Sequence, residues 1–207
     1  MRYGRAAILC GGRSERMGMD KTLLRDAAGK YLLETMVDTL SERFDEIAII
    51  RRSHSPLPFA HPKMRLIVDL PGADGPLCGI CTALTDTEGY VFVIACDMPQ
   101  VNLALIDAMY QRLTEQPKPV CICHAQGYLQ PLYAFYHTEL FADMLPHIGK
   151  LSPIRYILDR PHLIMPEAAV RACPSGLSAF ENLNDPSALG AYQLSALRRK
   201  EAGNLLE

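Results

Sequence analysis

Residues 8–23 read ILCGGRSERMGMDKTL. A short apolar run, Ala6 to Cys10, breaks into two glycines, Gly11 and Gly12. Three cations follow, Arg13, Arg16 and Lys21, with Gly18 between the last two. An apolar run that enters glycines reads as a buried strand ending in a loop. Adjacent glycines let backbone N–H groups approach a ligand closely, because no Cβ intervenes. Arg16 can fork onto phosphate oxygens, and Lys21 can place a point charge. The loop fits neither common phosphate loop. Against G-x-x-x-x-G-K-[ST], Gly12 and Gly18 are one residue too far apart and Met19 stands where Lys is needed. Against G-x-G-x-x-G, Gly11 and Gly12 are adjacent and Arg13 fills the next place. A surface turn with solvated cations is the plainer alternative.

Outward from this loop the pattern alternates, which predicts an α/β fold. Strands are expected at 5–10, 46–51, 65–69, 118–124 and 130–137. The continuous apolar run YVFVIAC, 90–96, reads as a strand buried on both faces. Helices are expected at 31–43, 77–86 and 103–113, with a short one at 138–147. A further helix covers 152–158, where Pro153 suits the first turn. A last helix falls near 186–199, where Asp185 can cap and Pro186 can open the first turn. Residues 52–63 and 70–76 read as loops, and 200–207 as a frayed tail.

The chain has 207 residues, 49% of them hydrophobic, and a formal net charge of −2. That suffices for one domain with its own core. With no basic run, nucleic acid is not an expected partner. No apolar run has membrane-spanning length, so no membrane partner is expected. The start, MRYGRAAILCGG, reads as a first strand rather than a signal peptide. Seven cysteines without scaffold spacing read as reduced thiols of a cytoplasmic protein.

Three more clusters carry chemistry. In IACDMP, 94–99, Asp97 follows a buried strand, in the crevice where α/β sheets bind ligands, and its hard oxygens suit Mg²⁺. The competing reading makes Asp97 an N-cap for the next helix. In VDLPGADGPLCGI, 68–80, Asp69 also ends a strand, and Gly75, Pro76 and Leu77 turn into a helix whose N–H groups face the crevice. In ENLNDP, 181–186, Asn182 and Asn184 alternate on an extended piece, so both amides can face one side; a turn and cap is the alternative.

In order and spacing these clusters resemble the molybdenum cofactor guanylyltransferases, the MobA-like nucleotidyltransferases. LCGGRSERMGMDK is similar to that family's L-A-G-G-x-S-x-R-M-G-x-D-K loop, DGPLCGI to its G-P-L-x-G segment and ACDMP to its C-D-x-P metal motif. QPLYAFY and NLNDPSAL resemble its later strand and closing motif. The resemblance implies a single-domain, Rossmann-like three-layer α/β sandwich with a mostly parallel mixed sheet, like the nucleotide-sugar transferases, over residues 1–199. It implies transfer of GMP from GTP to the terminal phosphate of molybdopterin or Mo-molybdopterin, releasing pyrophosphate, with Mg²⁺. Cofactor-delivery proteins and molybdoenzymes are the implied downstream partners.

Carried over by position, Leu9, Cys10, Gly11 and Gly12 meet the nucleotide through backbone, together with Gly75, Pro76 and Leu77. Lys21 binds its phosphates, Arg16 the departing pyrophosphate, and Asp69 lies by the nucleoside. Asp97 holds Mg²⁺ with Asn184, and Asn182 stands near. Gln130 and Arg155 are weaker candidates for the pterin side. The chain departs from the pattern at Cys10, where Ala is common, at Arg51, where Asn is frequent, and over 146–175. Gly11, where cytidylyl relatives favour Ala, leans toward guanine.

The alternatives are a cytidylyltransferase of the same cofactor, a sugar-phosphate nucleotidyltransferase and a non-catalytic nucleotide-binding protein. A Cys-rich metal or redox module, built on Cys78-x-x-Cys81 and on Cys121, Cys123 and His124, is a fourth.

Overall fold

Among the described residues, seven strands form one sheet in the order β3-β2-β1-β4-β6-β5-β7. In a computed structural model describing residues 2–11, 21–72, 74–183 and 190, with nothing of the Lys21 side chain, the strands are as follows. They run Tyr3–Leu9 (β1), Phe44–Arg51 (β2), Met64–Val68 (β3), Tyr90–Ala95 (β4), Val120–Ala125 (β5), Tyr128–His137 (β6) and Leu163–Met165 (β7). The helices are Leu32–Ser41 (α1), Pro76–Ala83 (α2), Leu103–Glu115 (α3), Leu140–Met144 (α4), Pro153–Leu158 (α5) and Glu167–Ala172 (α6). Strands β1 to β4 run parallel. Only β6 is reversed, pairing antiparallel with both β4 and β5, while β7 lies parallel to β5. The expected mostly parallel mixed sheet is the sheet found.

The central strands are apolar on both faces because each face is covered. Ile47 and Ile49 of β2 pack with α1 and α3, and Ala48 and Ile50 pack toward α2. Phe92 and Ile94 of β4 join the first cluster, Val91 and Val93 the second. The first layer is made by α1, α3 and α6, the second by α2, α4 and α5. α2 is buried from Leu77 to Ala83, which explains its near-continuous apolar sequence.

At the amino end of β1, Arg5 is 1% exposed. It donates to the carbonyls of Ala83 (3.1 Å) and Asp86 (3.2 Å), and also to that of Thr85. Its contact with Glu46, at 3.0 Å, is ionic rather than a directed hydrogen bond. A cation thus closes the C-terminal end of α2, where the helix dipole is negative.

Several boundaries differ from expectation. α2 stops at Ala83 rather than 86, and the expected helix 138–147 is α4 followed by a 3₁₀ turn over Leu145–His147. Strand β6 carries an irregularity: Cys123 faces Gln130, but Ile122 faces Ala134. Pro131, which has no N–H for a ladder, falls in the extra segment. β7, α6 and a 3₁₀ turn over Gly176–Phe180 were not expected; three-residue and six-residue elements are too short for a period to register. The expected helix 186–199 lies outside the described residues except for Gly190, as do Asp185, Pro186 and the tail 200–207.

Candidate active site

The chain runs outward from β1 through β2 to β3 and then returns to β4, on the other side of β1. Between β1 and β4 the connections therefore diverge, and a crevice opens beyond their carboxyl ends. Leu9 pairs with Ala95 there, and the Cys96 N–H donates to the Leu9 carbonyl at 3.1 Å. The Cys10 N–H donates to the Ile50 carbonyl at 2.8 Å. These amides seal the end of the sheet, so Gly11 is the first residue to leave it.

Gly11 meets Asp69. A Cβ at Gly11 would lie 3.5 Å from Asp69 Oδ2. Asp69 follows β3 and is fixed by its own N–H, which donates to the Arg51 carbonyl at 2.8 Å. The Thr82 hydroxyl of α2 stands 3.5 Å from Asp69 Oδ1, accepts from the Leu70 N–H and donates to the Cys78 carbonyl. Burial pushes the Asp69 carboxyl above the usual carboxylate range; Arg52 and the Thr82 hydroxyl oppose that shift, and Asp74 adds to it. Arg52 bridges to Asp74 at 3.1 Å. No sequence pattern marks Arg52 as part of this group: it stands in the expected loop 52–63 and arrives only through the β2–β3 register.

Gly75 starts α2 with φ +106°, a conformation that favours glycine, and no side chain caps the helix. Pro76 occupies the first turn and Leu77 is buried beneath it. Gly79 brings α2 down onto β1: a Cβ there would be 3.1 Å from Leu9 Cδ1.

Asp97 stands half-buried two residues past β4. The competing reading of Asp97 as a helix cap is overturned, because Asn102 caps α3 by accepting from the Leu105 N–H at 2.9 Å. The closing segment reaches the same place. The Leu183 N–H donates to the Asp97 carbonyl at 2.8 Å, and Gln100 Nε2 donates to Glu181 Oε2 at 2.6 Å. Leu183 is buried and Asn182 exposed, and whether Asn184 faces the same side as Asn182 lies outside the described residues.

Gln130 turns back on its own hairpin, Nε2 donating to the Ala125 carbonyl at 3.1 Å. Arg155 lies on the exposed face of α5, 3.3 Å from Asp159. Neither has a described contact with Asp69 or Asp97. Arg16, Gly12 and Asn184 lie outside the described residues, as does the Lys21 side chain; the Lys21 backbone opens a 3₁₀ turn, Lys21–Leu23.

A four-cysteine centre does not assemble. Cys81 belongs to the α2 side of the sheet, and Cys121 and Cys123 to the α3 side. Burial pushes the Cys81 and Cys121 thiols up to about 12 and that of Cys78 above its usual value. Among the described residues, no three His, Cys, Asp or Glu come together as a metal site would need. No helix among them is long and apolar enough to cross a membrane.

Known proteins resemble this chain in sequence and in fold. The chain is 36% identical over 150 residues to a molybdenum cofactor guanylyltransferase of Syntrophotalea carbinolica, covering 72% of this chain and 70% of that protein. It is 32% identical over 200 residues to one of Ectopseudomonas mendocina, covering 93% of each. In fold it matches molybdopterin-guanine dinucleotide biosynthesis protein A of Archaeoglobus fulgidus, with a TM-score of 0.81, 24% identity and coverage of 94% of this chain and 99% of that one. It also matches 2-C-methyl-D-erythritol 4-phosphate cytidylyltransferase of Francisella tularensis, with a TM-score of 0.66, 12% identity and coverage of 92% and 98%. The model of the MobA-like NTP transferase domain matches residues 6–163, three of the four motif clusters among them, and the chain belongs to that family.

Proposed function

We propose that this chain, as one domain over residues 1–199, transfers GMP from GTP to the terminal phosphate of molybdopterin or Mo-molybdopterin. The observation that carries the reading is the placement of Asp97. It stands beyond β4 at the point where the strand order reverses, the cap of α3 is supplied by Asn102 instead, and the closing segment is tied to its carbonyl. The names of the relatives in the same family point to the same reaction.

The donor set fits Mg²⁺. Asp97 offers carboxylate oxygens, and the segment carrying the expected second ligand Asn184, with Asn182 as the weaker candidate, is anchored to the Asp97 carbonyl at Leu183. Mg²⁺ at a nucleotide site needs one or two carboxylates, with phosphate oxygens and water completing the shell, so a three-residue cluster is not required. When bound, it supplies charge compensation at the phosphates.

The chain's own part is alignment. Gly11 and Asp69 form the nucleoside side of the crevice, and the start of α2, Gly75 to Leu77, closes it. Lys21 and Arg16 carry the positive charge of the loop, for the triphosphate and the departing pyrophosphate. The acceptor is a phosphate monoester, ionised at neutral pH, so no side-chain nucleophile or strong base is needed. Its oxygen attacks the α-phosphorus in line; the new P–O bond forms as the bond to the β-phosphate oxygen breaks, and pyrophosphate leaves. The step belongs in the cytoplasm, with delivery proteins and molybdoenzymes downstream.

Calorimetric titration with GTP, CTP, UTP and ATP in the presence of Mg²⁺ tests this reading, with GTP expected to bind tightest. Preference for CTP refutes GMP transfer in favour of cytidylyl transfer, and binding of no nucleotide refutes the reading altogether. Asp97→Ala should abolish turnover while the circular dichroism spectrum is kept.

A further inference from the structure

Two thiols stand at the floor of the crevice, and the reaction proposed above uses neither sulfur. Cys10 and Cys96 directly follow Leu9 and Ala95, which pair in the parallel β1–β4 register. The Cys96 N–H donates to the Leu9 carbonyl at 3.1 Å, so the two chain ends are still joined where the cysteines begin. Neighbouring strands lie about 4.8 Å apart. That spacing falls inside the roughly 4.4–6.8 Å Cα range of disulfides, and bringing the Cβ atoms to about 3.5–4.5 Å takes a small local shift of the two chain ends and rotation of Cys10 Sγ away from the Ile8 carbonyl. Both side chains also leave the same face. Cys10 and Cys96, in the turns that leave β1 and β4, both pack against the α1–α3 core cluster.

The other thiols are placed differently. Cys78, Cys81, Cys121 and Cys123 are buried, whereas Cys10 and Cys96 are half-exposed. Cys173 is also half-exposed, but it follows α6, away from both strand ends.

We propose that Cys10 and Cys96 form an oxidation-sensitive dithiol that closes to a disulfide across the floor of the crevice and shuts off nucleotide binding. The oxidant is a peroxide. It oxidises one sulfur to the sulfenic acid, releasing one water. The second sulfur attacks that sulfur, the S–S bond forms, and the hydroxyl leaves with the second thiol's proton as another water. Two electrons pass to the peroxide, and two thiols become one disulfide. The bridge would clamp the backbone just before Gly11 to the backbone just before Asp97, the two places that must fit a ligand. The bridge stands independently of the function proposed above; its effect on nucleotide rests on that reading.

The full-length chain, treated with hydrogen peroxide and digested without reductant, tests this by mass spectrometry. The expected product is a linked pair of peptides, one holding Cys10 and the other Cys96, two hydrogens lighter than the free peptides. GTP affinity should fall at least tenfold on oxidation and return with dithiothreitol. Cys96→Ala protein should bind GTP alike before and after peroxide. A bridge at Cys78–Cys81 or Cys123–Cys173 in place of this one, or oxidation to sulfinic acid without a bridge, overturns the proposal. So does a Cys10–Cys96 bridge that leaves GTP affinity unchanged. A reduced protein that binds no nucleotide refutes the functional reading instead, and the peptide map still decides whether the bridge forms.

Discussion

Replacing Asp69 by Asn should strengthen the fold and weaken the site. The carboxylate is half-buried, and burial is the largest cause of its raised pKa. A carboxyl with a higher pKa in the folded than in the unfolded chain binds more protons when folded. Stability is then lost as pH rises from the usual carboxylate range through the raised value. Wild type and Asp69→Asn should therefore unfold alike in acid, and the variant should become the more stable as pH rises to neutrality. Asn keeps the shape, one acceptor oxygen and the Thr82 neighbour, so no cavity offsets the gain. Binding should go the other way. A hydrogen bond to a charged group contributes about 1.5–3 kcal/mol. At about 1.4 kcal/mol per decade its loss is roughly 10- to 150-fold in GTP affinity. Urea unfolding of both proteins across pH, with calorimetric GTP titration at neutral pH, measures both effects. If the variant is less stable than wild type at neutral pH, the carboxylate supports the fold rather than burdening it. If GTP affinity is unchanged, Asp69 does not face the nucleoside.

Gly11→Ala tests the opposite wall. The added Cβ would meet Asp69 Oδ2 at an ordinary 3.5 Å, so stability should change by no more than about 0.5 kcal/mol, while GTP affinity drops at least tenfold because the methyl covers the carboxylate. Thermal melts and the same titration decide it, and unchanged affinity counts against Gly11 as a contact. Arg5→Met removes the buried cation at the far end of α2, stranding three carbonyls and Glu46. A loss of about 3 kcal/mol is expected, or roughly 6–12 °C in melting temperature, with GTP affinity of the folded protein unaltered. A melting temperature within a degree or two of wild type would show that water replaces the guanidinium at no cost.

Legibility in the sequence followed the range over which each signal acts. Runs such as Val91 to Ala95 were readable because each residue is buried on one face or the other, and burial writes itself directly as apolar composition. The strand ends that border the crevice were readable where a glycine or a carboxylate interrupts such a run, as near Gly11, Asp69 and Asp97. Contacts between segments left no local trace. Arg52 is unremarkable in its own loop and acquires meaning only because β2 and β3 lie side by side, bringing Asp69 and Asp74 to it. Asp97 could not be freed of its rival reading as a helix cap until Asn102 was seen accepting from Leu105. β7 was invisible because three residues carry no period, and its strand status comes from pairing with β5.

The site divides its work between backbone and side chain, and the division explains how one chain can keep a fold while its chemistry varies. Cys10 and Cys96 hold the end of the sheet with amide groups, and Leu183 is held through the carbonyl of Asp97. Any residue offers those groups, so the frame survives substitution at these positions. At Asp97 the proposed function draws on the carboxylate, to hold a metal; at Cys10 and Cys96 the proposed dithiol draws on the sulfurs. Asp69 is the contrary case. Its carboxylate is pressed between Gly11, Gly79 and Thr82, where burial disfavours its charge. The Thr82 hydroxyl and Arg52 offset part of that cost, and the Asp69→Asn comparison measures what remains.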